Sequence, residues 1–115
     1  MATLTVQDMN TLAGLNPTYA ACAGGGDDFV NTGHEYIHIK NGHSSPQSVT
    51  IHSQRLCDQG VEHDVVVSVP NAEERIIGPF HPARFNDANK KVQLTYSGVT
   101  ALTIAVRKGI VAPVT

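Results

Sequence analysis

The sequence predicts an all-β fold, an antiparallel β-sandwich or jelly-roll-like body with an extended N-terminal arm. Three observations carry that reading. Apolar residues recur with period two from Phe29 onward, Gly, Pro, Asn and Asp punctuate the apolar runs, and no long stretch shows the roughly 3.6-residue period of an amphipathic helix. The nearest approach to a helix, Val6 to Leu15, is short and poorly capped. A chain of 115 residues suits one domain. Without crossover helices a parallel α/β fold is excluded.

The first 26 residues differ from the remainder. They hold a single charge, Asp8, and end in Gly24-Gly25-Gly26, where missing Cβ atoms free the backbone to bend. Residues 1–26 read as an arm and Gly-rich hinge, and residues 27–115 as the sandwich domain. Thr3 to Val6 alternates enough to add a strand to a sheet. Tyr36 to Lys40 then puts Ile37 and Ile39 on one face and Tyr36, His38 and Lys40 on the other. Val49 to His52 repeats this scheme. Val65, Val67 and Val69 point inward opposite Val66 and Ser68; Val92, Leu94 and Tyr96 form the next inner face, and Leu102, Ile104 and Val106 the last. Asn41-Gly42, suited to positive φ, Asp58-Gln59-Gly60, Pro70-Asn71 and Ser97-Gly98 supply turns. About six or seven short strands of this kind make a sandwich or small barrel.

The balance of 8 Lys and Arg against 10 Asp and Glu, net −2, lacks the basic excess that drives binding to phosphate backbones. No apolar run approaches the ~20 residues of a membrane span, and MATLTVQDMN has neither the basic nor the apolar region of a secretory signal. These features imply a soluble protein made in a cytosol, binding neither nucleic acid nor membrane. Cys22 and Cys57 have no zinc-like spacing and read as two free thiols. A bridge between them, closing a loop of about 35 residues, is the alternative.

The chemistry-bearing residues point away from catalysis. The six histidines, His34, His38, His43, His52, His63 and His81, include no i, i+2 pair that would aim two imidazoles from one strand face. His38 and His52 are possible cross-strand neighbours but lack a third ligand. His63-Asp64 and Asp87, with Ser97 or Cys57 as nucleophile, fit no nucleophile elbow. Asp27-Asp28 and Glu73-Glu74 read as solvated turn charges rather than a glycosidase pair. Asp87-Ala88-Asn89 begins a calcium-loop spacing that the following residues do not complete. The Gly24–Gly26 run is followed by two carboxylates that would repel a phosphate. No catalytic residue, metal site or cofactor is assigned.

Arg75 to Asn89, RIIGPFHPARFNDAN, is the least ordinary stretch. Gly78-Pro79 and His81-Pro82 interrupt pairing because proline cannot donate to a ladder. In one reading Phe80 and Phe85 plug the end of the sandwich while Arg84 pairs with Asp87. In the other the loop presents Phe80, Arg84 and Phe85 to a partner.

The segments GGGDDFVNTGHEYIHIKNG, VTIHSQRLCDQGVEHDVVVSVP, ERIIGPFHPARFND and VQLTYSGVTALTIAVRK resemble a group of small structural proteins of tailed bacteriophages, the capsid decoration or cement proteins. The resemblance covers about residues 16 to 108 and rests on turn residues, with no catalytic signature to carry over. It implies a sandwich on the outside of the major capsid protein lattice, a homo-oligomer (dimer or trimer) clamping adjacent capsomers on the virion surface after assembly in the host cytoplasm. Thr3, Leu4, Thr5 and Val6, with Phe80, Arg84 and Phe85, are the expected partner-binding residues, and the tail Gly109 to Thr115 a second pairing segment. One alternative is a carbohydrate- or cell-surface-binding module in which Tyr36, His38, His52 and Tyr96 face outward and hold a sugar. Another is a head–tail connector or tail component.

Overall fold

The computed structural model describes residues 2–8, 14–54 and 63–109. Among these, the chain order is β1 (Ala2–Thr3), β2 (Val6–Asp8), β3 (Ala20–Ala21), β4 (Asp27–Val30), β5 (Glu35–Asn41), β6 (Gln47–Ile51), β7 (Val65–Val69), β8 (Glu74–Ile77), α1 (Pro82–Phe85), β9 (Lys91–Tyr96) and β10 (Leu102–Lys108). Two sheets pack as a sandwich, one in the order β1-β4-β9-β6-β7, the other β2-β10-β5-β8 with β3 also on β10. β5, β6, β7, β9 and β10 are the strands the alternation predicts, whereas β4 and β8 include Asp27-Asp28 and Glu74, which read as turn charges. Cys22 is a free, buried thiol, as the first of the two readings expects, and is not bridged to Cys57. Cys57 itself and the 110–115 part of the tail lie outside the described residues, so the tail pairing is not placed.

The inner faces follow the period-two pattern. Phe29, Ile37, Ile39, Val49, Ile51, Val69, Val92 and Leu94 are fully buried, with Leu102, Ile104 and Val106 beside them. Burial of each such side chain contributes about 1.5–3 kcal/mol against chain entropy.

The N-terminal segment is where the architecture departs most from expectation. Rather than standing off as an arm, it lies along the domain's own edges. β1 pairs with β4 and β2 with β10, both in parallel, so the sheets are mixed. Leu4, between the two short strands, is buried, and its N–H donates to Asp28 O at 2.7 Å. An apolar side chain that reaches the gap between two sheets gains by burial there, which offsets the cost of ordering the segment. Val6, the start of the helical candidate, lies in β2.

The expected hinge is a fixed turn. Gly26 N–H donates to Ala23 O at 3.0 Å, and Gly26 has φ +97°, with Leu94 O 2.5 Å from the place a Cβ would occupy. Only glycine fits this approach. The Asn41-Gly42 turn also differs from expectation. Neither residue has positive φ; Ala72, Lys90 and Ala101 take that conformation instead. Asn41 ends β5 nearly buried, its amide donating to Ser45 O and Val69 O and accepting from His43 N and Gln47 Nε2. A side chain that satisfies this many backbone groups replaces the strained turn.

Candidate functional site

Two places gather the residues expected to meet a partner. The first is a groove of 420 Å³ at the edge where the N-terminal segment crosses from one sheet to the other, lined by Ala2 to Thr5, Gln7, Thr18, Ala20, Ala21, Asp27 and the Ile104–Val106 stretch of β10. Its walls are mostly small residues because β1 and β3 are alanine-rich edge strands. Thr3 and Thr5 are exposed on its rim, Leu4 is buried, and Val6 is half-buried opposite Val106. The Thr3 hydroxyl donates to Asp28 Oδ1 at 2.7 Å. Across the groove the Gln7 side chain imitates a strand, its amide donating to Thr18 O and accepting from Thr18 N, both at 2.8 Å.

Beneath the groove lies a buried polar group of Cys22, Asp27 and Tyr96. Asp27 is fully buried; its Oδ2 accepts from Tyr96 OH at 2.7 Å and Ala23 N at 3.1 Å, while Oδ1 has no partner. Burial, with the Asp27 charge adding to it, pushes the Cys22 thiol up to about 12 against a hydrogen bond with Tyr96 that lowers it. The Tyr96 phenol is also raised, first by burial, then by Cys22 and Asp27. A thiol so placed is protonated at neutral pH and is no nucleophile. Asp27 and Asp28, read as solvated turn charges, are instead buried strand residues of β4.

The second place is the proline-rich corner. Gly78–Pro79 is a cis peptide, and His81 caps α1, its Nδ1 accepting from Ala83 N at 3.1 Å. Phe80 and Phe85 face inward at 4% and 7% exposure and meet edge to face, ring centroids 5.8 Å apart; Phe80 also packs on Phe29 at 5.7 Å. Both rings plug the sandwich end rather than project from it. Only Arg84 of the three is exposed. It does not pair with Asp87. Its guanidinium donates to His63 O at 2.9 Å and lies over the Phe85 ring at 4.7 Å, because α1 turns it back toward the chain entering β7. Asp87 instead organises the next turn. Burial would raise its carboxyl, but hydrogen bonds from the Lys91 backbone, Gln93 and Asn89 and the nearby Lys91 charge hold it below the usual range.

Arg84 belongs to a clamp at the neck of the segment between β6 and β7. Gln54 N donates to Arg84 O at 2.7 Å, Ser53 N to Asp64 Oδ1 at 2.8 Å, and His52 Nδ1 meets Asp64 Oδ2 at 3.0 Å. His52 Nε2 lies 2.7 Å from Thr95 Oγ1. This hydroxyl–imidazole–carboxylate chain has the connectivity of a hydrolytic triad. Thr95, however, sits mid-strand in β9, which ladders with β4 on one side and β6 on the other, so the surrounding backbone amides are committed. What the relay does is tie both ends of the neck to the sheet. Sequence reading missed it because it joins an outward position of β9 and the residue after β6 to the residue before β7. The equal outward parity of His52 and Thr95 was the available signal.

The proposed sugar platform does not assemble. Tyr36 and His38 belong to β5 in one sheet, while His52 and Tyr96 belong to the other, where Tyr96 turns inward to Asp27. For the same reason His38 and His52 are not cross-strand neighbours. His38 lies on the outer face but is buried there: Tyr19 covers it edge-on, its OH 2.9 Å from Nδ1, with Arg107 at 2.7 Å from Nδ1 and Glu74 at 3.0 Å from Nε2. Lys40 lies over the Tyr19 ring at 4.1 Å. Among the described residues no three His, Cys, Asp or Glu side chains gather as a metal-binding set.

The groove and the corner are thus two built surfaces flanking β4, one apolar with a buried carboxylate beneath it, the other a rigid plug carrying one exposed guanidinium. Comparison with protein-family models, with curated proteins and with solved structures finds no match to this chain.

Proposed function

We propose that this chain is a structural, non-enzymatic adhesion module of a tailed-bacteriophage particle, a decoration or cement protein that binds the outside of the major capsid protein lattice and stabilises the head. The observation that carries the reading is the N-terminal crossing: β1 and β2 extend both sheets from one segment and leave a 420 Å³ apolar groove beside exposed Thr3 and Thr5. Backbone groups at such an edge accept an extended segment from a neighbour, and small side chains let it approach closely. Many weak contacts of this kind add up across a lattice. The resemblance to decoration proteins supplies the partner, and the rigid plugged core supports a module that works by holding its shape.

Because Leu4 is part of the core, removing the N-terminal segment would disturb the fold as well as the groove. The test uses point changes. Thr5→Arg crowds the groove from an exposed position and leaves Leu4 in place. In co-sedimentation with undecorated heads the unaltered protein is retained, and Thr5→Arg, with an unchanged melting temperature, loses at least about tenfold in affinity. Equal retention of both overturns the groove as the contact; no retention of the unaltered protein overturns decoration itself.

A further inference from the structure

We infer that the edge of β7 left open among the described residues is a self-association surface, on which a second copy of this chain pairs in antiparallel fashion about a two-fold axis at Val66. The inference is independent of the capsid reading and holds or fails without it.

The fold treats its edges unequally. The outer edge of β4 is covered by β1, and that of β10 by β3 and β2, while among the described residues β7 pairs only with β6 and β8 only with β5. Open edges are ordinarily guarded by charge, proline or a bulge. β8 has Glu74 and Arg75 within it and is followed by Gly78-Pro79. β7, Val-Val-Val-Ser-Val, carries no charge or proline within the strand; its guards, Asp64 and Pro70, lie only at its two ends.

The ladder shows which β7 groups are unused. Ser97 N donates to Ser48 O and His52 N to Gln93 O, so Ser48 and His52 turn their backbone groups toward β9. Alternation leaves Val49 and Ile51 facing β7, opposite Val67 and Val65. Val66 and Ser68 therefore direct N–H and C=O to the open side. Val66 is also 63% exposed, and the inward Val65 and Val67 are only half-buried, so among the described residues nothing caps the apolar core at this edge.

A second copy satisfies all three features at once. With Val66 on the axis, its N–H and C=O meet those of its copy, Val65 falls opposite Val67, and Asp64 falls opposite Ser68 rather than another carboxylate. The exposed valine is covered, the half-buried pair is capped by its equivalent, and no like charges oppose each other. An isologous pairing of this kind closes as a dimer and leaves no further free β7 edge.

The test measures mass by light scattering of the full chain from roughly 1 μM to 1 mM, with residue-level amide exchange at both ends of the range. The expected result is a concentration-dependent rise to twice the chain mass, with at least about tenfold slower exchange at Val66 and Ser68 and none of that change in β8. Val66→Lys, at an exposed position, and Ser68→Pro, which removes an N–H its own sheet does not use, each return the mass to that of the monomer with an unchanged circular dichroism spectrum. Monomer mass throughout, a dimer in which Val66 and Ser68 exchange as in the monomer, or a dimer that survives Val66→Lys overturns the proposal. So does slowed exchange at β7 only when capsid protein is added, since that assigns the edge to a different partner.

Discussion

The Tyr96 hydroxyl donates to Asp27 Oδ2 at 2.7 Å, tying the end of β9 to the start of β4 beneath the N-terminal groove. Asp27 is fully buried and its other oxygen is already without a partner. Tyr96→Phe keeps the ring and leaves the carboxylate with only the Ala23 amide. Urea denaturation should show a loss of about 1–3 kcal/mol with an unchanged slope. A midpoint shift within error would mean that this hydrogen bond contributes nothing net.

Phe80→Ala and Arg84→Ala separate the plug from the surface. Removing the Phe80 ring, packed on Phe29 and Phe85, should cost about 3–5 kcal/mol. Removing the exposed Arg84 side chain should cost less than about 1 kcal/mol, because its hydrogen bond to His63 O is solvent-exposed. Equal costs for the two would contradict the assignment of Phe80 to the core.

Gly26→Ala should destabilise the domain by more than about 1 kcal/mol, since φ is +97° and the added Cβ would meet Leu94 O. Gly24→Ala, where nothing lies within 4 Å, is the matched control and should be close to neutral. Equal thermal midpoints for the two variants would show that the turn relaxes without loss.

Cys22 should resist alkylation at pH 8 in the native state and react only on unfolding, followed by mass measurement of the peptide that contains it. Its folded pKa is about 12 against an ordinary 9.0, so above about pH 9 the unfolded thiol releases its proton first. Stability is then intact below pH 9 and falls as pH rises toward 12. Rapid native labelling at pH 8 would contradict the burial.

Much of this fold was legible because β6, β7 and β9 each put one face in the core and leave the other at least partly open to water, and because β10 keeps the same alternation of large apolar residues. The corner was legible in part: Gly78-Pro79 and His81-Pro82 announced an interruption of the strands, but nothing local decided whether Phe80 and Phe85 plug the core, as they do, or face a partner. The N-terminal segment was not. Strands of two or three residues carry no usable period, and their partners in β4 and β10 lie far along the sequence. The burial of His38 was missed for a similar reason, since the ring that covers it, Tyr19, arrives from outside the strand and closes off an outward position. Asp27 read as a solvated charge because nothing local signals that Tyr96 will reach it. The groove is built from these same long-range placements, so its residues were nameable but its shape was not.

The most direct measurement is an image reconstruction of the phage particle in which this chain is located and counted. Decoration requires density on the outer face of the shell in hundreds of copies, as expected for an icosahedral lattice, with β1 and β2 against the major capsid protein. Density confined to the neck or tail in about six to twelve copies, or no density on the particle, would contradict it.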